Sequence, residues 1–172
     1  VTIDNTPNGI DLDAMHDAIV AKIRERFPAF NEVGDYSRIS KSANPPSCYV
    51  QLTDATPAAD PGTDQLRLTL RWEALLVFSF RAEKAKRSVR VAAVELALFI
   101  KDQRWGLECG PATIEQIQQD GFSPELDQYE CWRVDWTQEV NVGPNVWVGE
   151  AVPDPMDVTI REDVVPDGYA GL

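Results

Sequence analysis

The stretch LDQYECWRVDWTQEVNV, residues 126–142, sets Asp127, Glu130, Asp135 and Glu139 among Trp132 and Trp136. Paired acids beside aromatic rings suit a glycosidase cleft, in which two carboxyl groups stand about 5 to 9 Å apart across the scissile bond. Asp135 and Glu139 are four residues apart. On one strand face that spacing separates them by roughly 13 Å, at about 3.3 Å per residue. The pair is too wide for that chemistry. His16 is the sole histidine, so any Ser-His or Cys-His mechanism has to run through it. It falls at the margin of an apolar helical stripe with no nucleophile beside it in sequence, and reads as a half-buried helix residue. Cys48, Cys109 and Cys131 are odd in number and lack CxxC spacing, which gives neither a disulfide framework nor a zinc ligand set. The run DNTPNG at residues 4–9 has the look of a calcium loop, but Thr6 and Met15 occupy positions that need carboxylate or amide oxygens. No Walker A, GxGxxG or HExxH pattern occurs. The expectation is a protein without catalytic residues, metal or cofactor.

The elements that carry these residues follow from periodicity. In DLDAMHDAIVAKIRERF, Leu12, Met15, Ile19, Ile23 and Phe27 fall at helical spacing, with Asp11 as N-cap and Pro28 ending the run. SCYVQLTD reads as a strand, and ATPAADPGTDQ as punctuation. In LRLTLRWEALLVFSFR, Leu66, Leu68, Leu70, Trp72, Ala74, Leu76, Phe78 and Phe80 alternate with a second set that includes Arg67, Thr69, Arg71 and Glu73. A strand of about fifteen residues reaches roughly 50 Å, well beyond the usual five or six residues, so part of it should project from the body. KAKRSVRVAAVELALFIKDQRW predicts a second helix closed by Trp105 and Gly106; beside its main stripe, Val91, Val94 and Leu98 widen the apolar surface, so it needs cover on more than one side. ATIEQIQQD reads as a weaker strand.

Parity then assigns the opening stretch. Trp132, Val134, Trp136, Val140 and Val142 share one face of a second long strand, and Cys131, Arg133, Asp135, Thr137 and Glu139 share the other. The tryptophans should point into a core and Asp135 and Glu139 away from it. Glu130 lies on the tryptophan side but near the strand start, where exposure is expected. The fold class is α+β: a mainly antiparallel sheet with two long strands and two helices packed on one face.

A chain of 172 residues with 44% hydrophobic content supports one domain and an appendage. The division is drawn at residues 1–148 for the domain and 149–172 for an extended, acidic, proline-containing arm. From Gly143 onward the chain holds Glu150, Asp154, Asp157, Glu162, Asp163 and Asp167 against the single Arg161, with too little apolar periodicity to fold alone. A net charge of −12 argues against tight binding of nucleic acid, which rests on cations neutralising phosphates. Arg81, Lys84, Lys86, Arg87 and Arg90 crowd the start of the second helix, where the macrodipole already disfavours cations. Another chain supplying negative charge would relieve them, and the arm is the candidate. The interface set is therefore Arg67, Arg71, Lys84, Lys86, Arg87, Arg90, Glu150, Asp154, Asp157, Glu162 and Asp163. The first residues lack a signal-peptide pattern and no stretch is long and apolar enough for a membrane helix, so synthesis in a reducing cytoplasm without export is expected.

The stretches RWEALLVFSFR, RVAAVELALFIKDQRWG and SPELDQYECWRVDWTQEVNVG, in that order behind a helix ending RERFP, resemble the tail terminator (tail completion) proteins of long-tailed bacteriophages. The likeness covers roughly residues 11–150. It rests on the pattern of strands, helices and aromatic positions. The resemblance implies a non-enzymatic virion component of the tail neck: a ring, hexameric in that family, that stops polymerisation of the tail tube and offers a docking face to the head-tail connector. Its partners would be other copies of itself, the tail tube protein and the connector, with DNA crossing the lumen without specific binding. An acidic chain suits such a lumen, since like charge keeps the backbone from adhering. Two alternatives share parts of the pattern. One is another neck protein, either head closure or tail tube. The other is a soluble enzyme or carbohydrate-binding module, which would need Trp132 and Trp136 exposed where the ring reading needs them buried.

Overall fold

A computed structural model describes residues 9–36, 44–81, 84–120 and 129–147. Helix α1 (Leu12–Arg26) begins where Asp11 Oδ1 accepts from the backbone N–H of Asp13 at 2.9 Å and Ala14 at 3.3 Å. Met15, Ile19, Val20 and Ile23 form its buried stripe. Strands β1 (Glu32–Asp35) and β2 (Ser47–Pro57) follow, then β3 (Leu66–Ser79), helix α2 (Ala85–Ile100), β4 (Thr113–Gln119) and β5 (Tyr129–Val142). The sheet order is β1-β2-β3-β5-β4; β1 and β2 run parallel and every other pair is antiparallel. The fold is α+β.

The two long strands pair with each other along their whole length, from Leu66 opposite Val142 to Ser79 opposite Tyr129. Their even-numbered residues build the main core. Trp72, Ala74, Leu76, Val134, Trp136 and Val140 meet Ile19 and Ile23 of α1 and Val89, Ala93, Leu96 and Ile100 of α2 in one buried cluster. Both helices therefore cover the same face of the sheet. At its centre Trp72 and Trp136, directly opposite in register, stack with ring centroids 6.4 Å apart and planes 14° from parallel. Trp105 tilts against Trp136 at the same separation. Leu68 and Phe78 pack at the rim, while Leu66 and Phe80 end the alternation exposed.

A buried amide fastens the turn after α2 to this core. Gln138 Oε1 accepts from the Trp105 indole N–H at 2.8 Å, and its Nε2 lies 2.7 Å from the Gly110 carbonyl and 3.1 Å from that of Gln103. Just beyond the same end of β5, Gly9 and Gly143 touch backbone to backbone. A Cβ built on Gly9 would sit 2.6 Å from the Gly143 carbonyl oxygen, so glycine is required there.

Four sequence expectations change. Strand β1 lies between the first helix and SCYVQLTD, where periodicity assigns no element, because only Val33 of its four residues carries an apolar side chain and its pairing partner is remote in sequence. Helix α2 ends at Ile100, ahead of Trp105; the backbone turns left-handed at Asp102 (φ 66°) and Trp105 (φ 57°), which brings Trp105 back into the core. Glu130 is 5% exposed and accepts a hydrogen bond from Gln119 Nε2 at 3.0 Å, since β4 covers that end of β5. Asp135 does lie on the helix-free side, yet it is only 7% exposed. That side carries its own apolar cluster of Tyr49, Leu75, Val77 and Cys131, flanked by Tyr36 and Tyr129.

Candidate assembly surface

Helix α2 presents two opposed faces. Val89, Ala93, Leu96 and Ile100 are buried, whereas Val91, Val94 and Leu98 are 51%, 55% and 74% exposed. The outer three continue backward through Arg87 and Lys84 at spacings of three and four residues, so a cationic end and an apolar run lie along one line of the helix. The first turn holds no acid, and the N-cap, Lys84, is left-handed (φ 62°) and provides no side-chain cap. Arg90 Nε turns back to the Lys86 carbonyl at 2.9 Å. Beside this line runs a groove of about 470 Å³ between Phe78 at the end of β3 and Lys84, Arg87, Val91 and Glu95 of α2.

The structure distributes the interface residues over two surfaces. Lys84, Lys86, Arg87 and Arg90 gather at the start of α2, in the helical layer. Arg67 and Arg71 stand on the helix-free face: Arg67 Nε donates to Asn141 Oδ1 at 3.2 Å, and Arg71 lies opposite Thr137 on one side and Asp54 on the other. Glu150, Asp154, Asp157, Glu162 and Asp163 fall outside the described residues.

The helix-free face holds a charge cluster that pattern reading of the sequence missed. Glu73 and Asp135 are cross-strand neighbours, and Arg133 lies between them, 3.1 Å from Asp135 Oδ1 and 3.6 Å from Glu73 Oε2. Burial raises both carboxyl pKa values above the ordinary range. Arg133 opposes that rise for both, and Asp120 adds to it for both. The signal for this cluster lay in register: like charges become opposite neighbours only once the two long strands are aligned.

Other chemically capable groups have structural surroundings. His16 lies 3.7 Å from Asp35 Oδ2 and meets Trp72 edge-on at 5.8 Å, beside an open groove along α1 and β1. Burial pushes the thiols of Cys48 and Cys131 up to about 12, so neither supplies thiolate near neutral pH. Among the described residues, no group of three or more His, Cys, Asp or Glu stands where it could hold a metal ion. No helix among them is long and apolar enough to cross a membrane. Trp136 is fully buried and Trp132 half-buried, so the two do not form an exposed aromatic platform.

No protein-family model matches the chain. No curated protein matches it. Among solved structures, a protein designated only by a catalogue number aligns with 80% of this chain and 100% of its own at 17% identity, with a TM-score of 0.38. A superposition that loose carries no argument about fold or function.

Proposed function

We propose that this protein is a structural component of a phage tail neck, a terminator that closes as a ring on the end of the tail tube and presents a face to the head-tail connector. The carrying observation is the outer line of α2. Val91, Val94 and Leu98 lie exposed in succession on a helix whose opposite side is fully packed. Contiguous apolar surface of that kind marks a contact with another chain. In this reading the ring forms from copies of the same chain, six by the resemblance, and the protein is made in the host cytoplasm and ends in the virion. The net charge of −12 suits a channel that DNA crosses without sticking.

The test is direct. Tail tubes assembled with the purified protein are expected to carry a ring of density at one end and to stop growing there, as seen by negative-stain electron microscopy. Tubes of unchanged length with bare ends would refute the terminator reading. A ring that instead binds the connector and ignores the tube would favour the head-closure alternative.

A further inference from the structure

We propose that residues 150–163 of one copy dock along α2 of a second copy, their carboxylates at the basic helix start and their apolar residues on the Val91–Val94–Leu98 line. The inference deepens the ring reading by naming the contact between copies, and it rests on that reading for the closing of the ring.

Charge complementarity carries the first part. From Arg81 to Arg90 the chain places five cations against the single Glu83, whereas residues 150–163 hold five acids against Arg161. Apolar complementarity carries the second part: Val152, Met156, Val158 and Ile160 are interspersed among those acids, and the helix offers Val91, Val94 and Leu98 beyond its cations. A surface that was only basic would take any anion. This one asks for a segment with both characters.

The root of the arm points to a neighbouring copy. Gln65 Nε2 donates to the Gly143 carbonyl at 2.8 Å, the Val146 N–H donates to Thr63 at 3.2 Å, and the Trp147 indole N–H donates to Gly62 at 3.0 Å. The chain therefore leaves the described domain at the Leu66 end of β3, whereas α2 begins just past its Ser79 end. Those fourteen residues of β3 separate root and helix start by roughly 43 Å, at about 3.3 Å per residue. Seven residues from Trp147 to Asp154 span at most about 25 Å when fully extended. Glu150 and Asp154 thus fall far short of their own helix start; Glu162 and Asp163, further along the arm, span that distance, so seating all the carboxylates there together takes the Arg87 end of a second copy.

The test uses two full-length variants and one peptide. In the arm variant, Glu150, Asp154, Asp157, Glu162 and Asp163 become their amides; in the helix variant, Arg87→Glu is combined with Leu98→Ser. Each variant alone is expected to self-associate at least tenfold more weakly than the parent chain by analytical ultracentrifugation. A mixture of the two is expected to form mixed pairs, because one contributes an intact helix and the other an intact arm. A labelled peptide of residues 148–172 should bind the parent chain saturably, lose at least tenfold in affinity between 0.05 and 0.5 M salt, and lose affinity with Leu98→Ser alone at constant charge.

No saturable peptide binding, or binding indifferent to Leu98→Ser, overturns the proposal. So does self-association weakened by the helix variant and untouched by the arm variant, which would make a second α2 the occupant. If docking holds and tubes are still left uncapped, the terminator reading fails and this contact stands. If tubes are capped and docking is absent, the reverse is true.

Discussion

Trp136 is the residue with most at stake in the core, because it stacks on Trp72, touches Trp105 and has no exposed surface. Trp136→Ala should cost about 3–5 kcal/mol in urea unfolding, whereas a loss below about 1 kcal/mol would mean that the site collapses around the smaller side chain. Gln138 sits one inward position further along β5. Its parity is that of the tryptophans, so a polar residue at a core position was visible in the sequence; its partners were not, since the turn carrying Trp105 and Gly110 is brought back only by the left-handed residues after α2. Gln138→Leu should cost about 1–3 kcal/mol through the hydrogen bonds left unmade. Asp135 gives a third expectation. Its carboxyl binds its proton more tightly in the folded chain than in the unfolded one, mainly through burial. That contribution to stability is present below the ordinary carboxylate value, about 4, and is lost as pH rises through the elevated folded value. The stability of Asp135→Asn relative to the parent should therefore improve as pH is raised across that window, measured as denaturation midpoints in a pH series. Parallel slopes for the two proteins would exclude a raised value.

At the scale of elements, periodicity located both described helices and four of the five described strands. Long alternation survives tertiary context because a slip of one residue would turn every core side chain outward. Strand β1 had no such protection: four residues with one apolar side chain cannot declare a face. The candidate surface was half legible. The cations of α2 and the breadth of its apolar surface were visible in sequence, but which valines face the core depends on how the helix lies on the sheet. The two faces differ measurably. Leu96→Ala, fully buried, should cost about 2–5 kcal/mol, while Val91→Ala, half exposed, should stay within about 0.5 kcal/mol of the parent. Equal losses in thermal unfolding of the monomer would mean that the outer face is already covered within one chain.

For the whole molecule, the sheet separates two functions by its ends: the arm leaves at one, and the helix that would receive it starts at the other. That polarity suits head-to-tail contacts, which close into a ring when successive rotations return to the first copy. The distribution of tryptophans makes the core and the root of the arm optically distinct. Trp72, Trp105 and Trp136 are buried, and the first and last are stacked closely enough for their excited states to couple, whereas Trp147 is 69% exposed at the root of the arm. Unfolding should abolish the near-ultraviolet circular dichroism of the stacked pair. Assembly should leave that signal in place and shift only the red-edge emission, which Trp147→Phe would remove. One sample can then report the integrity of its core and the engagement of its arm at separate wavelengths, without any added label.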